Sequence, residues 1–153
     1  MPNQTPGAPP AGKLVLVVRR TIDAPAERLF RAWTEPEQLR KWWGPPPSRC
    51  PTAELDLRVG GKYRIANEFP DGRTVWIVGE FERILPPSEL VYTWRLEGSG
   101  GGSERVTVRF EAAGSKTEVI VLHERIADAE MRARHEQGWK GCLDGLARYA
   151  AAG

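Results

Sequence analysis

Hydrophobic and polar positions recur with two different periods along this chain, and each change of period marks an element. Over residues 128–150, plotted at 100° per residue, Met131, His135, Gly138, Trp139, Cys142, Gly145, Leu146 and Tyr149 share one face. Arg132, Glu136, Lys140, Asp144 and Arg148 spread over the other. The pattern predicts one amphipathic helix, capped by Asp128 and roughly 35 Å long at 1.5 Å per residue. Glu130 with Arg134, Arg132 with Glu136 and Glu136 with Lys140 stand four apart and support its wet side. Gly138, Gly141 and Gly145 each cost about 1 kcal/mol relative to alanine in a helix interior. Space against the apolar face is the expected reason for keeping Gly138 and Gly145 there.

Period two governs most of the remainder. Strands are predicted over residues 14–22, 52–57, 62–69, 73–84, 89–96, 103–112 and 116–124. The short turns between the later ones, at Gly60-Gly61, Asp71-Gly72, Pro86-Pro87, residues 98–102 and Gly114, make them antiparallel neighbours. Between the first two strands, Asp23 or Ala24 caps a short helix with Pro25 in its first turn and Leu29, Phe30, Ala32 and Trp33 as its buried stripe. Thr34 and Pro36 end it and open a second, over residues 35–43, with Leu39, Trp42 and Trp43 apolar. The order is strand, two helices, six strands, long helix: an α+β chain in which about seven antiparallel strands are crossed by the last helix. A sheet of that size, at about 4.8 Å per strand, is roughly as wide as the helix is long.

Alternation also assigns faces. Tyr63, Ile65 and Asn67 look inward, as do Leu90, Tyr92 and Trp94, then Val106, Val108 and Phe110, then Val119, Val121 and His123. Residues 73–84 carry apolar side chains on both faces, Trp76 and Val78 against Val75, Ile77 and Phe81; the reading adopted turns Trp76 inward.

Composition narrows the classes of function. The 153 residues suit one domain, and 22 basic against 20 acidic residues leave a formal charge of +2 with no basic run for nucleic acid or an anionic membrane. The longest apolar run, residues 14–18, is far short of the roughly 20 residues a membrane span needs. Cys50 and Cys142 lie far apart behind an N-terminus that is rich in proline rather than apolar, which predicts free thiols in a reducing, cytoplasmic setting. Residues 1–12, with four prolines, are expected to be a disordered tail ahead of a domain spanning residues 13–151.

A resemblance adds to this reading. Asp23-Ala24-Pro25, the run from Ala32 to Glu37, Trp42-Trp43-Gly44-Pro45, the run from Asp56 to Gly61, the run from Leu90 to Trp94, and Gly138-Trp139 resemble the single-domain proteins similar to the Hsp90 ATPase activator (AHSA1-like). These belong to the START-like, Bet v 1-like (SRPBCC) superfamily. The resemblance implies a helix-grip fold, in which a curved antiparallel sheet wraps the C-terminal helix and leaves an internal cavity. Superfamily members include carriers of hydrophobic ligands, polyketide cyclases and aromatases, and co-chaperones, so the fold alone does not choose among them.

The candidate chemistry gathers on the inner face. Trp43, Trp76, Trp94 and Trp139 come from four separate elements and are expected to line the cavity with Tyr63, Ile65, Asn67, Tyr92, Val108, Val121, Met131 and Cys142. His123 and His135 face each other across it, as ligand anchors, as an acid and base, or as hydrogen-bonded core imidazoles. His123, Tyr92 and Asn67 are the expected polar anchors. His123, His135 and Cys142 together offer three ligands of a zinc site, but none of the dense ligand spacings occurs, so no metal and no cofactor is expected. Asp56 and Arg58 read as a pair fixing the Gly60-Gly61 turn or gating the pocket mouth. No serine has a glycine elbow and a matched base.

The leading expectation is therefore a protein that binds a small hydrophobic or aromatic molecule, with no catalytic residues assigned. An enzyme of the cyclase or aromatase type using His123 or His135 is the first alternative. A chaperone- or regulator-docking module using Trp42 and residues 45–47 is the second. Assembly as a homodimer is left open.

Overall fold

The structure, a computed structural model, describes residues 12–44, 47–98 and 102–152; most of the expected tail and part of the segment at 45–47 lie outside them. Strand β1 (Leu14–Ile22) leads into helices α1 (Ala26–Thr34) and α2 (Pro36–Trp42). Six strands follow, β2 (Ala53–Leu55), β3 (Lys62–Glu68), β4 (Thr74–Leu85), β5 (Glu89–Leu96), β6 (Glu104–Ala113) and β7 (Lys116–Ile126), and then helix α3 (Ala129–Ala152). The strands form one antiparallel sheet in the order β1-β7-β6-β5-β4-β3-β2. Every hairpin pairs neighbours, as short turns require, and β1 closes onto β7 across the chain's whole length. A register shift between Phe81 and Arg83 bends β4 against β5.

Local chemistry sets the helix ends. The Asp128 carboxylate accepts the Met131 backbone N–H at 2.8 Å, capping α3 as predicted. Pro25 sits one position earlier than expected, at the cap of α1 with extended ψ of 154°, and its carbonyl accepts the first helical N–H bonds from Arg28 and Leu29. Pro36 occupies the first turn of α2, where its missing N–H leaves no bond unmade.

The core fills the hollow of the sheet. Val106, Val108, Val119 and Val121 of β6 and β7 are buried beneath Leu29 and Ala32 of α1 and Leu143 and Leu146 of α3. Trp33 is its hub, with ring centroids 4.9 Å from Trp42, 5.8 Å from Phe110 and 6.0 Å from Trp139. Leu143, absent from the predicted face, is as buried as its neighbour Leu146 because it lies four residues beyond Trp139.

The outward face of the sheet is a different surface. In the β3–β4 register Ile65 pairs with Ile77 and Ala66 with Trp76, which places Ile77 and Phe81 inward and Trp76 outward. The expectation that Trp76 faces the cavity is thus corrected. The Arg64 guanidinium lies 3.6 Å from the Trp76 ring centroid, and this stacking makes an outward tryptophan tolerable. Asp56 and Arg58 form an exposed pair at 2.9 Å beside their turn, not a buried gate.

Gly145 serves close packing. A Cβ there would lie 2.6 Å from the Trp42 carbonyl oxygen, so α3 and α2 touch through bare backbone. Gly145→Ala should destabilise the fold by about 1–3 kcal/mol in urea unfolding, because displacing the helix outweighs the roughly 1 kcal/mol that alanine gains in helix propensity. A neutral or stabilising result would mean that the two helices separate freely.

Candidate functional site

Helix α3 packs on β1 and β7 and against α1 and α2. Beside β3, β4 and β5 it leaves a cavity of about 100 Å³. The walls are Trp43, Asn67, Ile77, Trp94, Arg134, His135, Gly138, Trp139 and Cys142. A Cβ built on Gly138 meets nothing within 4 Å, so this glycine, unlike Gly145, stands before open space. The cavity has about two-thirds of the volume of the roughly 150 Å³ apolar cavity that takes up benzene, so it holds several waters, or a single ring that extends towards the exposed rim at Arg134.

The predicted lining residues divide among four places. Trp43, Asn67, Trp94, His135, Trp139 and Cys142 meet at this cavity. Tyr63, Ile65 and Tyr92 instead border a separate apolar gap of about 20 Å³ beneath Trp33, room for one water at most. Val108, Val121 and His123 are wholly buried in the packed interior, and Met131 packs partly exposed at its edge. Trp76 lies on the opposite face of the sheet. The polar anchors foreseen at Tyr92 and His123 therefore stand behind the cavity wall, and Asn67 remains.

A polar network backs that wall. Glu104 Oε1 accepts His123 Nε2 at 2.7 Å and His135 Nε2 at 3.0 Å. Trp139 Nε1–H donates to His123 Nδ1 at 2.9 Å. An indole nitrogen can only donate, so His123 Nδ1 carries a lone pair and its proton resides on Nε2, facing Glu104. The two imidazoles stack with centroids 4.4 Å apart and 14° between planes, and Trp94 meets both edge-on. Trp43 Nε1–H donates to Asn67 Oδ1 at 3.0 Å, which fixes the orientation of that amide.

Electrostatics follow from this geometry. Burial pushes the His123 imidazole below its usual 6.5, and the neighbouring His135 acts in the same direction against the opposing pull of Glu104. For Glu104, burial raises the carboxyl pKa, but the hydrogen bonds from His123 and His135 outweigh it and hold the group below its usual 4.5. Glu104 is thus a buried carboxylate with two N–H donors. Burial raises the thiols of Cys142 to about 12 and Cys50 to about 11, so both free cysteines are protonated, weakly reactive packing groups.

Glu104, His123 and His135 carry ligand-type atoms within 4.8 Å of one another, a set that invites comparison with a metal centre. The donor set does not fit. Metal on His123 Nε2 would move the ring proton to Nδ1, where it would confront the Trp139 N–H, whereas metal-bound imidazoles present that proton to an acceptor. The combination of His123, His135 and Cys142 is not assembled, since the two histidines converge on Glu104.

Glu104 escaped the sequence reading although its parity betrays it. It lies two residues before Val106, on the inward face of the same strand, and directly opposite Trp94 in the sheet. Trp42 does not offer the exposed side chain expected of a docking surface: it is 4% exposed and its indole N–H donates to the Ala32 carbonyl at 2.9 Å, while residues 45 and 46 of that expectation lie outside the described residues.

A curved antiparallel sheet gripping a C-terminal helix, with a cavity between them, defines the helix-grip class of the START-like superfamily. Within it, residues 23–151 match the family described as Activator of Hsp90 ATPase homolog 1-like protein, and the chain belongs to that family. The AHSA1 protein from Silicibacter pomeroyi is 27% identical, with a TM-score of 0.80 over 91% of this chain and 99% of that one. A protein from Chromobacterium violaceum is 26% identical, with a TM-score of 0.80 over 89% of this chain and 96% of that one. An uncharacterized protein from Schizosaccharomyces pombe is 28% identical over 103 residues, 67% of this chain. The chain spans about a quarter, 27%, of that relative's length. Among the described residues, no helix is long and apolar enough to cross a membrane.

Proposed function

We propose that this protein binds a small, largely apolar molecule of single-ring size between the sheet and α3. The observation that carries the reading is the cavity itself: three tryptophans from the α2 terminus, β5 and α3 surround it, and Gly138 fronts it with no side chain. Aromatic walls offer large contact area and lose little rotamer freedom on binding. Burial of apolar ligand surface supplies about 25 cal/mol per Å². The reading has an internal economy as well. Glycine at 138 costs α3 about 1 kcal/mol relative to alanine, a cost without return if the space had no use.

The experiment is native mass spectrometry of gently purified protein, followed by tryptophan quenching with a panel of single-ring lipophilic and aromatic compounds. Retained mass or saturable quenching is the expected result. Gly138→Leu, whose isobutyl group enters the cavity, should abolish quenching while leaving thermal stability equal to or above that of the parent. A panel with no binder, or quenching unaltered in Gly138→Leu, overturns the assignment.

A further inference from the structure

The hydrogen bonds already made inside the wall restrict what a guest can offer. Two of the three indole donors beside the cavity are engaged, Trp43 with Asn67 Oδ1 and Trp139 with His123 Nδ1, which leaves the Trp94 N–H. Cys142 contributes only a protonated thiol, a weak donor. His135 gives its Nε2–H to Glu104, so in its neutral form the nitrogen left over is Nδ1, an acceptor. Asn67, with its oxygen taken by Trp43, has its NH₂ left to donate. A guest therefore meets His135 Nδ1 as acceptor, and the Asn67 amide, the Trp94 indole and, at the rim, the Arg134 guanidinium as donors, on walls that are otherwise apolar.

Charge narrows the choice further. The buried Glu104 carboxylate lies one imidazole away from the cavity and disfavours an anion there. The Arg134 guanidinium at the exposed rim disfavours a cation. A neutral hydroxyl answers both demands, since its proton goes to His135 and its oxygen accepts from Asn67. We propose that the guest is a neutral, hydroxyl-bearing ring compound of phenol size, with His135 as its hydrogen-bond acceptor and Asn67 as its donor. This proposal rests on the cavity-binding reading above.

The test compares phenol, toluene, anisole, benzoate and benzylamine as probes at pH 8 by tryptophan quenching of the full chain. An apolar cavity without polar partners ranks toluene above phenol, because the hydroxyl gives up water without replacement. Here the order should reverse, with phenol tighter than toluene by roughly tenfold. Anisole, which keeps the oxygen but lacks the proton, should fall with toluene. In His135→Leu the phenol preference should vanish while toluene still binds. Nitrogen NMR of the wild-type chain supplies a readout independent of that variant: phenol, but not toluene, should shift the His135 Nδ1 resonance.

Toluene equal to or tighter than phenol, or an unmoved Nδ1 resonance with phenol bound, overturns the hydroxyl assignment and leaves the binding reading standing. Benzoate or benzylamine as the tightest probe overturns it in favour of a charged guest. No binding by any probe removes the cavity reading, and the present proposal with it.

Discussion

Glu104→Leu should lower the melting temperature by roughly 6–12 °C, the equivalent of about 3 kcal/mol at 2–4 °C per kcal/mol for a domain of this size. The carboxylate is the common acceptor for His123 and His135, and leucine removes it while leaving the His123 N–H buried with no partner. An orphaned buried donor costs more than the bond it once made contributed. Glu104→Gln, which keeps one acceptor oxygen, should lose less. The variants also predict a pH signature. His123 and Glu104 both have folded-state pKa values below their unfolded ones, so the unfolded chain takes up more protons on acidification. Stability from these groups is complete above the unfolded values and is lost as pH falls, from below about 6.5 for His123 and below about 4.5 for Glu104. Glu104→Leu removes the carboxyl's share of the lower limb. It also deepens the upper limb, because His123 no longer has the carboxylate that draws its pKa upward. Thermal unfolding between pH 4 and 8 reads both limbs, and a variant with the parent's melting temperature throughout would show the network to be dispensable.

Leu146→Ala should cost about 2–5 kcal/mol, the range for emptying a fully buried leucine site. Leu146 is wholly buried and follows the glycine at which α3 meets α2. Urea unfolding gives the number directly, and a loss under 1 kcal/mol would mean that the terminal helix repacks freely. A control on the same helix is Gly138→Ala. Its methyl group meets open space, so it should hold or raise stability by up to about 1 kcal/mol.

Most of the architecture could be read from periodicity. The strands, the antiparallel order and the capped terminal helix all follow from alternation, turn residues and a single aspartate. Trp76 could not be placed that way, since β4 has apolar side chains on both faces. Its orientation was settled by cross-strand pairing with Ala66 and by Arg64 above its ring. The cavity was legible only in part. Aromatic residues on the inward face identified Trp43, Trp94 and Trp139, but the same parity also selected Val108 and Val121, which α1 and α3 cover completely. Parity tells which face a residue occupies; how far a helix stands off that face depends on where its glycines meet backbone and where they meet nothing. Glu104 was overlooked because a charged residue at the start of a strand reads as solvated. Only the arrival of two imidazoles from β7 and α3 explains why it is inside.

The bonds behind the cavity run in one sense only. The Trp139 indole donates to the His123 ring, and the His123 and His135 rings each donate to the same carboxylate oxygen, so both arms run towards Glu104. Two arms that end in one sink do not form a conducting wire: a proton gained at either end has no vacant acceptor beyond Glu104 to pass to. The assembly behaves as a brace that holds the His135 ring in a fixed pose, so the same ring is presented to whatever enters.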